Sequence, residues 1–151
     1  MTEPYNLDLA ISVALEAREK SKALRSGYKV GACLVGEDDR GITCYLPGCN
    51  IELSGYPPIH AEHMAYVLGE FYQLKKHHVI VVACDKGFPM CGYCRQLYIN
   101  LNSSMRVIGV DTRMSPPKVV IDIILSDLMP YAYPIWQGEE LSNQEDSTKS
   151  H

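Results

Sequence analysis

The sequence predicts an α/β protein, a three-layer sandwich with helices on both faces of a mixed five-stranded sheet. Three observations carry this. Helical and strand-like patterns succeed one another as helix, hairpin, helix, strand, helix, strand, strand. The run "HVIVVACD" at 78–85 is apolar without alternation, as a strand covered on both faces must be. A chain of 151 residues, 46% apolar and 21% charged, can bury one core but is too short for two.

The first helix is read over 6–26. Leu7, Ala10, Ile11, Ala14, Leu15 and Ala17 recur at three- and four-residue spacing, Glu16, Arg18, Glu19, Lys20 and Lys22 fall mostly elsewhere, and Gly27 closes it. Runs 28–35 and 42–46, rich in β-formers and separated by "GEDDRG", read as a hairpin. Glycine and proline then interrupt 47–58, an ordered loop. A second helix starts at His60, just after two prolines, and extends to about residue 76 on an apolar face that includes Ala61, Met64, Ala65 and Leu68. After strand 78–85, a helix over 91–102 leads to strand "MRVIGVD" at 105–111 and the alternating strand "KVVIDIIL" at 118–125. Beyond Gly138 apolar residues nearly vanish, so the chain divides into one folded domain, 1–136, and a polar tail, 137–151, expected to be disordered.

Composition excludes several classes. No apolar run approaches the roughly 20 residues that span a bilayer. The start "MTEPYNLDLA" has neither a basic nor an apolar leader region, so a cytoplasmic protein with no membrane partner is expected. A net charge of −4 and a pI near 5.7 argue against nucleic acid as a partner and suit a small neutral ligand. Lys20, Lys22, Arg25 and Lys29 form only a modest basic stretch, read as the solvated face of a helix. Six cysteines in a reducing compartment read as free thiols, mostly buried.

Chemistry concentrates in "PPIHAEH" (57–63) and "FPMCGYCRQ" (88–96). Cys91 and Cys94, three positions apart at a helix start, put two sulfurs on one face, where the helix dipole favours thiolates. Alone the pair is a metal half-site, a redox couple or two core cysteines. His60 opens the preceding helix of the same unit, and helices flanking strand 78–85 can present their N-termini side by side. Two zinc sites then remain open: a closed Cys2His2 site in which His63 is the fourth ligand, or a His/Cys/Cys site with a free fourth position. A chain with a full core has no need of a closed structural zinc. Glu62, two residues beyond one ligand, suits a proton shuttle beside an open position.

H-x-E followed by C-x-x-C is the signature of zinc-dependent nucleobase deaminases. With "YKVGACLV", "GCNIE", "HAE", "CGYCRQ" and "LMPYAYP" in that order, the sequence resembles the cytidine deaminase family over about residues 5–135. The resemblance implies a cytidine deaminase-like fold and one zinc per chain on His60, Cys91 and Cys94. It implies hydrolytic deamination of cytidine or deoxycytidine to uridine or deoxyuridine plus ammonia, in pyrimidine salvage. Glu62 would be the general acid/base, Asn50 and Glu52 would bind a ribose hydroxyl, the Ala61 backbone would contact the base, and Tyr28 would pack on it. Tyr133 would close the pocket, often a neighbour's, in a homotetramer. Met90 stands where the signature has proline. Many relatives carry cysteine at position 60 and arginine at 63, so His60 and His63 depart together: a His/Cys/Cys site is already neutral and needs no nearby cation. "GYPP" also departs from the family loop and keeps a modified cytosine nucleoside, such as a blasticidin-like antibiotic, as a second substrate class. An inactive zinc- or nucleoside-binding protein is the third reading.

Overall fold

A computed structural model describes residues 2–133. The expected tail, 137–151, and the last residues of the expected domain lie outside them. The chain runs α1 (Leu7–Glu19), β1 (Gly31–Glu37), β2 (Thr43–Cys49), α2 (Ala61–Phe71), β3 (Lys76–Cys84), a 3-10 turn (Asp85–Gly87), α3 (Gly92–Ile99), β4 (Arg106–Asp111), β5 (Lys118–Ile124) and the single-turn α4 (Leu125–Leu128). Five strands form one sheet in the order β2-β1-β3-β4-β5. Only β3 and β4 are parallel, and α3 lies in the crossover that a parallel pair requires.

Strand alternation sorts the core onto two faces. Cys33, Val35, Val79, Val81 and Ala83 pack with Ala10 and Ala14 of α1. Leu34, Ile80 and Val82 turn the other way, onto Ala65 of α2 and Tyr98 of α3. β3 is thus buried from both sides, and the helices of the other face start near its C-terminal end. No helix among the described residues is long and apolar enough to cross a membrane.

Several boundaries differ from the sequence pattern, β1 running over Gly31–Glu37 and α3 ending at Ile99 among them, and three have a visible physical cause. α1 stops at Glu19, because Lys22 donates its N–H to the Asn50 carbonyl and accepts from the Glu52 N–H, each at 3.0 Å. This bridge between Lys22 and Ile51 uses the backbone groups a continuing helix would need. The basic stretch therefore lies mostly along an extended connection and not on a helical face. α2 ends at Phe71, since Gln73 turns into the left-handed region at φ 56° and Lys75 donates to the Glu37 carbonyl at 2.7 Å to start β3. β2 runs on to Cys49 through Pro47, which an edge strand tolerates because no strand among the described residues pairs with its outer side.

Gly48 is where β2 meets α2. A Cβ there would lie 1.9 Å from the Ala61 carbonyl oxygen and 2.8 Å from the Ala65 nitrogen, both backbone atoms that no rotamer change can move. Gly48→Ala is expected to push the start of α2 off the sheet and to lower stability by about 2–3 kcal/mol. Chemical denaturation checks it.

Candidate active site

His60 and Cys91 are the N-cap residues of α2 and α3, and neither side chain closes its own helix. Instead the two side chains meet. His60 Nδ1 lies 3.4 Å from Cys91 Sγ and 3.4 Å from Cys94 Sγ, and all three atoms fall within 4.8 Å of one another. Tetrahedral zinc, with bonds of about 2.3 Å to sulfur and about 2.0–2.1 Å to nitrogen, requires nitrogen–sulfur separations of ~3.6 Å. The donor set and its spacing fit that ion. Burial pushes the Cys94 thiol well up, and the neighbouring Glu62 and Cys91 add to it. A divalent cation among these groups reverses that penalty and holds the sulfurs as thiolates.

His63 does not join them. Among the described residues the only such metal-competent group is His60, Cys91 and Cys94. The His63 ring meets Tyr93 edge-on with centroids 6.0 Å apart. The three-residue set expected from spacing is brought together, and the closed alternative is not.

Glu62 is the second residue of α2 and only 6% exposed. Burial raises its carboxyl above the usual range. Its place is fixed from below: the buried Tyr98 hydroxyl donates to the Glu62 carbonyl at 2.8 Å.

These groups open into a cavity of about 620 Å³ that runs past Tyr28, Asn50, Glu52 and Ala61. Asn50 Nδ2 donates to the Tyr28 carbonyl at 2.8 Å, and Oδ1 accepts from the Val30 N–H at 2.9 Å and from the Ser21 hydroxyl. Glu52 accepts from the N–H groups of Arg25 and Ser26, at 2.7 and 2.9 Å, and from the Ser26 hydroxyl. The Ser26 hydroxyl is the main reason its carboxyl stays below the usual carboxylate range. Tyr28 donates its hydroxyl to the Asp85 carbonyl at 2.8 Å. Tyr133 stands apart: its side chain is 74% exposed, its backbone pairs with the Gln96 side chain, and it does not line the cavity.

Several cavity residues escaped the sequence reading, Phe88 and Arg95 among them. Phe88, exposed at the rim, had no signal beyond being aromatic three residues before Cys91. Arg95, within the quoted "CGYCRQ", donates from Nε to the Met90 carbonyl at 2.7 Å and from Nη1 to the Leu128 carbonyl at 3.2 Å. Met90 itself is fully buried. Packing and Arg95 thus fix the approach to Cys91, where the signature uses proline.

A family model described as the cytidine and deoxycytidylate deaminase zinc-binding region matches residues 5–110, a span that includes His60, Glu62, Cys91 and Cys94. The chain belongs to this family. A cytidine deaminase of Sporosarcina psychrophila is 33% identical over 106 residues, 68% of this chain and 75% of that one. The crystal structure of cytidine deaminase from Burkholderia pseudomallei superposes with a TM-score of 0.69 at 28% identity, over 85% of this chain and all (100%) of the other. That from Mycobacterium tuberculosis gives 0.67 at 21% identity, over 87% and 99%. The α/β sandwich is therefore the cytidine deaminase fold, and the deaminase family's zinc-binding region coincides with the one metal-competent cluster described above.

Proposed function

We propose that the protein is a zinc-dependent deaminase that hydrolyses cytidine and deoxycytidine to uridine and deoxyuridine with release of ammonia. The observation that carries this is the buried Glu62 carboxyl on the same cavity wall as the His60/Cys91/Cys94 cluster, with Asn50 and Glu52 farther along. Zinc held by His60, Cys91 and Cys94 would supply an activated water near neutral pH. Glu62 would take a proton from the attacking water and give it to N3 of the cytosine ring, then take the proton of the hydroxyl newly bonded to C4 and pass it to the amine as the C4–N bond breaks. Burial raises its proton affinity, as a group that both takes and gives a proton requires. The Ala61 backbone orients the base, and Tyr28 packs on it.

Asn50 and Glu52 set what the sugar must offer. The Asn50 oxygen already accepts two hydrogen bonds and one of its two N–H donors is used; Glu52 Oε2 accepts two and Oε1 one. One donor and one carboxylate acceptor remain, which one hydroxyl satisfies. A second sugar hydroxyl gains nothing from this pair. Cytidine and deoxycytidine are expected to give kcat/KM values within about tenfold of each other, since no buried polar group is left unpaired by loss of the second hydroxyl. Absorbance loss and ammonia release measure both. Zinc-loaded protein that turns over neither would overturn the proposal in favour of an inactive nucleoside- or zinc-binding protein.

A second substrate class has one observation in its favour. A hollow of about 220 Å³ lined by Arg25, Tyr56 and Pro58 adjoins the main cavity at Ser26 and Glu52, with room for a substituent on the sugar. A modified cytosine nucleoside should then exceed cytidine in kcat/KM. A homotetramer in the cytoplasm, taking part in pyrimidine salvage, completes the proposal, with the exposed Tyr133 closing a neighbour's pocket.

A further inference from the structure

Arg18 sits on α1, across the sheet from α2 and α3, yet its guanidinium reaches both backbone segments that hold Tyr28. Nε donates to the Lys29 carbonyl at 3.2 Å, next to Tyr28 in the chain. Nη2 donates to the Asp85 carboxylate at 3.0 Å, and the Thr112 hydroxyl donates to the same oxygen at 3.0 Å. Asp85 in turn receives the Tyr28 hydroxyl on its backbone carbonyl. The base of Arg18 lies close against the β1 backbone: a Cβ on Gly31 would fall 2.4 Å from the Arg18 nitrogen and 2.7 Å from its Cβ. Its side chain is 19% exposed, far less than that of an ordinary surface pair.

We infer that Arg18 is a positioning residue for nucleoside binding. By spanning from α1 to Lys29 and Asp85 it fixes Tyr28 in the cavity wall, and it touches neither the substrate nor the metal-competent cluster. The inference rests on reading the cavity as a nucleoside site. Arginine is the side chain that suits this geometry, since its planar fork donates from separate nitrogens in two directions at once, whereas the three donors of a lysine ammonium share one nitrogen and do not reproduce that fork.

A double-mutant cycle on the zinc-loaded full chain tests it, with Arg18→Lys, Tyr28→Phe and the pair, each read as kcat and KM for cytidine. Arg18→Lys is expected to raise KM about fivefold, the loss of one hydrogen bond's contribution, with kcat changed by less than about twofold. Tyr28→Phe should do the same. Because both break one linkage, the double variant should also stop near fivefold, where independent effects would multiply to about 25-fold. Multiplication overturns the inference, because Arg18 then acts elsewhere. A lowered melting temperature with KM unchanged overturns it too, as a merely structural role. Should Arg18→Lys fail to fold, Thr112→Val removes the other donor to Asp85 and must raise KM in the same direction; an unchanged KM overturns the inference. Failure of the parent itself to turn over any cytosine nucleoside is a different result, which removes the nucleoside reading and this inference with it.

Discussion

Replacing Glu62 with glutamine is expected to lower kcat by roughly 10²- to 10⁴-fold while zinc content and the melting temperature stay near those of the parent. Glutamine matches the shape of glutamic acid and fills the same buried position, but it can neither take a proton from water nor give one to N3. The fold should not notice, because what anchors this turn is the Tyr98 hydroxyl on the residue's backbone carbonyl, which the substitution leaves in place. Initial rates of ammonia release, with zinc measured on the same sample, separate the two contributions. A variant within tenfold of the parent would mean that Glu62 is only a favourable acid in a helix's first turn. The chemistry would then need another proton carrier, and among the described residues lining the cavity no other carboxylate lies next to a metal-competent side chain.

The second large effect is expected from Cys94→Ser, which should reduce bound zinc from about one per chain to a small fraction and abolish turnover. Cys94 is fully buried, and a serine hydroxyl is a harder, weaker donor than a thiolate for this ion. The protein should nevertheless remain folded. Its ligands stand on helices whose core partners, Leu34, Ile80, Val82 and Tyr98 among them, are buried without help from a metal. This separates the protein from small zinc modules that unfold when stripped. Far-UV circular dichroism before and after chelation should therefore superpose, with a lower melting temperature in the stripped sample, as linkage to a ligand bound only by the native state dictates. Loss of the secondary-structure signal on chelation would show that zinc is structural after all.

How much of this was legible in the sequence depends on how far apart the deciding atoms are. The mixed five-stranded sheet, the three longer helices and their succession along the chain came through because periodicity is local: the unbroken apolar run of β3 announces burial on both faces by itself. Boundaries set by long-range pairing did not. Nothing between Lys20 and Ser26 reveals that Lys22 will bridge to Ile51, so α1 was carried too far, and Pro47 reads as a breaker until one sees that β2 is an edge. α4 is a single turn, too short for any periodicity to register. At the site, His60, Cys91 and Cys94 were legible because ligand spacing is chemical and recurs. The state of Asn50 and Glu52 was not, since their hydrogen bonds are to residues twenty or more positions away. Arg18 had no signal at all, being one charged residue among several on an amphipathic helix.

The uncapped starts of α2 and α3 have a further meaning. His60 and Cys91 have given up the ordinary task of closing their own helices, and their side chains face each other across the gap between α2 and α3 instead. An ion held by these side chains would therefore tie the first turns of the two helices together. In hydrogen-exchange terms, the amides around Glu62 should be the slowest of any helix start when the ion is present and among the first to open when it is withdrawn. The part of the protein that does the chemistry would then also be the part that senses whether it is equipped to do so.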